Sequence, residues 1–182
     1  MRTLLLIFGI FALFSCSSKR IVITETKPTE TIVFGKLTIK SDIPIENKKV
    51  LIHFNERLWA KNAAWLDENE MFYLRMPLGN NFLALVEYNG SYYKNIPDNY
   101  ISINVPLNDK IYYIGDIDLY WTPSKSDKRQ NTGGVIGALK EAKKEGEKVE
   151  VVVNSSDKSI DYFKQLFPNN AKDIVTQLIK IE

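Results

Sequence analysis

Apolar and polar positions alternate with a period of two over six short stretches between residues 31 and 121. Val33, Gly35, Leu37 and Ile39 alternate with Phe34, Lys36, Thr38 and Lys40. Val50, Ile52 and Phe54 alternate with Leu51 and His53, and Phe72, Leu74 and Met76 with Tyr73 and Arg75. Phe82, Ala84 and Val86 then alternate with Leu83, Leu85 and Glu87, and Ile101, Ile103 and Val105 with Ser102 and Asn104. Last come Tyr113, Gly115, Ile117, Leu119 and Trp121, which alternate with Tyr112, Ile114, Asp116, Asp118 and Tyr120. A strand with one buried face has this period. Turn residues separate the stretches: Asp42-Ile43-Pro44, Pro77-Leu78-Gly79-Asn80-Asn81, Asn89-Gly90, Pro97-Asp98-Asn99 and Asn108-Asp109. Strands joined by turns, with no helical pattern between them, predict a mainly β chain built as an antiparallel β-sandwich over residues 31–123. The alternation also places Tyr112, Asp116, Asp118 and Tyr120 together on an outward face.

The pattern changes after Trp121. Residues 123–132 are polar and read as a linker. Val135, Ile136, Leu139 and Ala142 fall at helical spacing, with Gly146 as a stop. Val149, Val151 and Val153 return to strand alternation and suit pairing with the Tyr112–Trp121 strand. Ser155 or Ser156 can cap a helix with Ile160, Phe163 and Phe167 on one face, ended by Pro168. Asn169 or Asn170 can open a last helix carrying Ile174, Val175, Leu178 and Ile179. Residues 124–182 are thus expected to supply a linker, a helix, a strand and two C-terminal α-helices packed on the sandwich. Ala60, Ala63, Ala64 and Leu66 fit either a helix or a long loop, with Trp59 and Trp65 against the sandwich edge.

The N-terminus has another character. After Met1 and Arg2, residues 4–14 are apolar without interruption. Eleven residues are too few for a transmembrane helix, which needs roughly 20, but they suit the apolar core of a signal peptide. Leu13-Phe14-Ser15-Cys16 resembles a bacterial lipobox, whose Cys is acylated and becomes the first mature residue. The resemblance implies a signal peptide over residues 1–15, a lipid anchor on Cys16 with palmitate among its acyl chains, and a polar tether through residue 30. Several acyl chains on one residue hold a protein stably to a bilayer. Ser17 is not the Asp that resembles an inner-membrane retention signal, and no acidic cluster follows Lys19 and Arg20. The expected place is the cell envelope, at the outer membrane, facing the periplasm.

A second resemblance covers residues 31–123. Met76-Pro77-Leu78-Gly79-Asn80-Asn81-Phe82-Leu83-Ala84-Leu85, with Phe72 before it and Phe34-Gly35-Lys36-Leu37 at the start, resembles transthyretin-like and carboxypeptidase-regulatory-like domains. There a strand ends in a Leu-Pro-x-Gly turn and the next begins with Tyr or Phe. Tyr112-Tyr113-Ile114-Gly115-Asp116-Ile117 resembles a strand of bacterial lipoproteins. These likenesses imply a transthyretin- or immunoglobulin-like sandwich with a binding or structural role, and they bring no catalytic residues.

Composition narrows the chemistry. The chain has 24 Lys plus Arg against 22 Asp plus Glu, a net charge of +2, so no nucleic-acid footprint is expected. One Cys and one His leave no disulfide framework, and a zinc site on those ligands is not expected. His53 falls on the polar face of its strand and reads as a solvent-side histidine; no Gly-x-Ser-x-Gly elbow accompanies it. Asp116 and Asp118 lie two apart on one face, about 7 Å between Cα atoms, and could in principle do acid–base work; solvated carboxylates are the expectation. Asp67, Asn69 and Glu70 lack the Gly of a calcium loop, and Asn131-Thr132-Gly133-Gly134 lacks the Lys-Ser/Thr of a P-loop. Tyr73, Tyr88, Tyr92, Tyr93, Tyr100, Tyr112 and Tyr120 suit a partner or sugar surface. The reading is a non-enzymatic envelope protein, without cofactor or metal, that binds another protein or has a structural role. The alternative is a glycan-binding module, with Tyr112, Asp116, Asp118 and Tyr120 as the candidate surface.

Overall fold

A computed structural model describes residues 26–58, 61–128, 139 and 143–182. These residues are mainly β and form two sheets. Sheet one contains β1 (Glu30–Lys40), β4 (Met71–Pro77), β8 (Lys110–Tyr120), β9 (Glu150–Asn154) and β10 (Asp173–Thr176). Sheet two contains β2 (Val50–Phe54), β3 (Ala63–Trp65), β5 (Gly79–Tyr88), β6 (Tyr92–Asn95), β7 (Ile101–Val105) and β11 (Lys180–Ile181). The helix α1 (Asp157–Leu166) lies between β9 and β10 in the chain. Val33, Leu37, Ile52, Phe54, Phe72 and Leu83 are among the residues of the main core. Burying such side chains contributes roughly 1.5–3 kcal/mol each.

All six expected strands form, and β9 pairs with β8 as its alternation suggested. Four strands escaped the pattern: β6, whose Tyr92-Tyr93-Lys94-Asn95 does not alternate, the three-residue β3, and β10 and β11 near the C-terminus. The pairing is not purely antiparallel. β1 pairs with β4 antiparallel but with β8 parallel, and β10 also runs parallel to β8. A parallel neighbour needs a long crossover, and β1 and β8 are separated by six strands of chain, enough to return in the same direction.

The last expected helix is absent. Ile174 and Val175 lie in β10, and Ile179 is buried in the main core just before β11. Asp173-Ile174-Val175-Thr176 carries three β-branched residues, and β8 offers an open edge beside Lys110 to Tyr113, so strand pairing wins over helical spacing. Asn170 forms a turn instead of a cap, its Oδ1 accepting from the Lys172 N–H at 3.1 Å. From β10 the chain crosses to sheet two, where β11 pairs with β7. The C-terminal segment therefore completes both sheets as well as packing on one.

The helix expected around residues 157–166 is α1, and it covers part of the outer face of sheet one. Its Phe163 meets Ile32, Phe34, Met71, Ile111 and Tyr113 in a second apolar cluster. The helix expected over Val135, Ile136, Leu139 and Ala142 lies, Leu139 apart, outside the described residues. The signal peptide, Cys16, Trp59 and the glycines near residue 133 also lie outside them.

Candidate functional site

The four candidate residues of β8 are split between two faces. Val33 pairs with Tyr112 and Phe34 with Tyr113, but Lys36 pairs with Asp116, so β8 holds one extra residue opposite Gly35. Such a bulge reverses the faces of everything beyond it. Tyr112 and Ile114 therefore point into the main core, and beyond the bulge Ile117 and Leu119 do so. Tyr112 is buried, its hydroxyl accepting from the Leu107 N–H at 3.1 Å. Its expected place on the outward surface is thus corrected; strict alternation cannot register an inserted residue. Asp116, Asp118 and Tyr120 remain together on the outer face, beside Lys36, Thr38 and Lys40 of β1.

Glycine makes the bulge. Gly115 has φ of +111°, and a Cβ there would lie 2.8 Å from Val153 Cγ1. A Cβ on Gly35 would lie 2.7 Å from the Gly115 carbonyl oxygen and 2.9 Å from the Phe72 ring. The two glycines let β1 and β8 approach where the register slips.

The carboxylates each have a separate partner. Asp116 accepts from the Tyr113 hydroxyl at 2.7 Å, and that hydroxyl accepts from the Ser156 N–H at 3.0 Å, the residue that begins α1. Asp118 pairs with Lys40 at 3.2 Å. Glu70 binds Lys36 at 3.0 Å and accepts from Thr38 Oγ1 at 2.8 Å. One Asp thus ties the helix start to the sheet and the other balances a lysine. Among the described residues no group of three or more His, Cys, Asp or Glu is placed to hold a metal ion.

Burial raises the Tyr113 phenol above its ordinary value, and the Asp116 carboxylate adds to the effect. The native chain then keeps this proton to higher pH than the unfolded chain, whose tyrosine ionises near 10. The contribution to stability is complete below about pH 10 and falls as pH rises beyond it. Tyr113→Phe leaves the Ser156 N–H without its partner and is expected to cost about 1–3 kcal/mol near neutral pH. Urea unfolding at pH 8 and pH 10.5 checks both points: the wild type loses more stability between the two than the variant. An equal loss in both would show that Tyr113 has no part in the alkaline decline.

Part of what remains open on this face is apolar. Asp118 pairs across β8 and β9 with Val152, and Tyr120 with Glu150, so Tyr120 and Val152 are diagonal neighbours on one surface. They are 43% and 41% exposed. Among the described residues β9 pairs with β8 alone. Val152 was legible in the sequence, because Val151 and Val153 turn inward and leave it outward. Of the other tyrosines singled out in the sequence, Tyr73, Tyr88, Tyr92, Tyr93 and Tyr100 are half-buried.

His53 differs from expectation. It does lie opposite Ile52 and Phe54, yet it is only 4% exposed. Ala63 and Leu85 are its cross-strand partners, and Nε2 lies 3.6 Å from Glu87 Oε2. Strands on both sides enclose a position that a lone strand would leave in water. Elsewhere, an open groove of about 870 Å³ between α1 and β10 is lined by charged residues including Asp161, Lys164, Lys172 and Asp173. Lys110 pairs with Asp173 at 2.7 Å, raising the lysine and lowering the carboxyl, and Lys164 lies 3.6 Å from Asp161. These are solvated ion pairs that contribute little.

Comparison with family models, with curated proteins and with solved structures finds no match to this chain. Among the described residues, no helix is long and apolar enough to cross a membrane.

Proposed function

We propose that this chain is a lipoprotein of the cell envelope, acylated on Cys16 and held at the outer membrane facing the periplasm, with a non-catalytic role in binding another protein. The observation that carries the reading is the uninterrupted apolar run of residues 4–14 ending in Leu13-Phe14-Ser15-Cys16, the only cysteine of the chain. The two-sheet body suits a sandwich of the transthyretin-like kind: the Pro77-Leu78-Gly79 turn joins β4 to β5 and carries the chain from one sheet to the other. The surface that suits a partner is the Tyr120–Val152 patch at the edge strand β9. Asp118 beside it is already paired with Lys40, and a strand edge beside exposed apolar side chains is a recurrent place for a second chain to add. Glycan binding has Tyr120 in its favour but not Tyr112, which is buried.

The test is metabolic labelling with a clickable fatty acid in wild type and Cys16→Ser, followed by membrane fractionation, with a photocrosslinking residue at Tyr120. Label and membrane retention are expected to vanish together in the variant, and a discrete crosslinked protein is expected from position 120. An unlabelled, soluble wild type would remove the anchor, and the absence of any crosslinked protein would remove the binding role.

A further inference from the structure

The first described residues are fastened to one end of the body. Lys172 Nζ donates to Thr26 Oγ1 at 2.9 Å and to the Asn108 carbonyl at 2.7 Å. Asn108 Nδ2 donates to the Pro28 carbonyl at 2.9 Å, and the Leu78 N–H to the Thr29 carbonyl at 3.0 Å. Thr31 Oγ1 bonds the Lys110 carbonyl. The segment leading into β1 is thus gripped by the β4–β5 turn and the β7–β8 loop. Those two loops each present a large apolar side chain to solvent. Leu78 is 36% exposed and Leu107 is 53% exposed. Both sit among turn residues, where nothing in the pattern of strands requires a leucine.

Only nine residues separate Cys16 from Thr26. Fully extended, that stretch spans at most about 35 Å. The far end of β1, at Lys40, is about 35 Å further away at the rise of a strand. A short leash therefore keeps the Leu78–Leu107 end of the body nearest the bilayer. We propose that this end is seated on the bilayer that holds the acylated Cys16, with Leu78 and Leu107 inserted at the level of the headgroups. The inference rests on the acylation reading and adds an orientation to it. Exposed leucines at loop tips suit this place, because their apolar area leaves water without any partner protein. The charged residues at this end, Lys27, Lys110 and Lys172 against Glu30, Asp109 and Asp173, balance, so the contact is apolar and insensitive to salt.

Ile43 supplies the control. Its exposure, 43%, falls between those of Leu78 and Leu107 and it is equally apolar, but it follows β1 at the opposite end. The experiment uses the full-length acylated chain in phosphatidylethanolamine–phosphatidylglycerol vesicles, some with brominated acyl chains. With Cys16 blocked by lipid, Leu107→Cys, Leu78→Cys and Ile43→Cys each give one thiol for an environment-sensitive fluorophore. Quenching by the brominated lipid is expected to be at least twofold greater at positions 78 and 107 than at position 43, and unchanged by high salt. A chain that stays on the vesicles with equal or no quenching at the three positions would overturn the seating and leave the anchor intact. A chain that carries no acyl group and stays in solution would overturn both.

Discussion

Gly115→Ala is expected to lower the unfolding free energy by about 2–5 kcal/mol. Two costs combine. A φ of +111° is strained for any residue with a Cβ, and the added carbon meets Val153 Cγ1 at 2.8 Å and the Asn154 carbonyl at 3.2 Å. Those neighbours belong to β9, so relief would pull β9 from the edge of β8. Gly35→Ala carries only the second kind of cost, because its φ is ordinary for a strand. Its Cβ would nonetheless face backbone, the Gly115 oxygen at 2.7 Å, and about 1–3 kcal/mol is expected. Urea unfolding of the two variants against wild type makes the comparison. If Gly115→Ala came within ~0.5 kcal/mol of wild type, the usual range for a neutral surface change, the bulge would not be the device that splits the faces of β8.

Phe163→Ala is the second large change. Phe163 is fully buried and stacks on Phe34, ring centroids 3.9 Å apart and planes within 11°, with Phe167 at 4.9 Å. A ten-residue helix is not stable alone in water, so α1 depends on this contact. Truncating a buried phenylalanine costs about 3–5 kcal/mol. Much of that loss should fall on α1 itself. Native-state hydrogen exchange is the measurement: amides of residues 157–166 should lose most of their protection while the centre of β1 keeps more of its own. Leu166→Ala, at an exposed position of the same helix, should leave both unchanged. Equal loss of protection in α1 and β1 would mean that the helix and sheet one open as one unit.

The first of these changes marks where reading the chain residue by residue stops working, and the second marks where it succeeds. The positions of β1, β2, β4, β5, β7 and β8 follow from alternation, because a half-buried strand writes its two faces into the chain locally. The amphipathic spacing of Ile160, Phe163 and Phe167, ended by Pro168, foretold α1 in the same way, and the valines of β9 foretold a strand beside β8. Asp116, Asp118 and Tyr120 were correctly grouped on one face. Tyr112 was not, since one inserted residue at Gly115 turns the preceding half of the strand over, and the reason for the insertion lies eighty residues away at Gly35.

What the sequence by itself determined is therefore local: the six alternating strands and β9, the extent of α1, and an apolar run over residues 4–14 shortly before the chain's one cysteine. What only the tertiary structure decided is relational. Strand direction in β1·β8 depends on the path of all the chain between them, and the conversion of the last expected helix into β10 and β11 depends on open edges offered by β8 and β7. The burial of Tyr112 and His53 depends on which strand lies opposite. Periodicity records how one segment divides its own faces between core and water; it holds no information on the partner backbone that selects direction, register and edge.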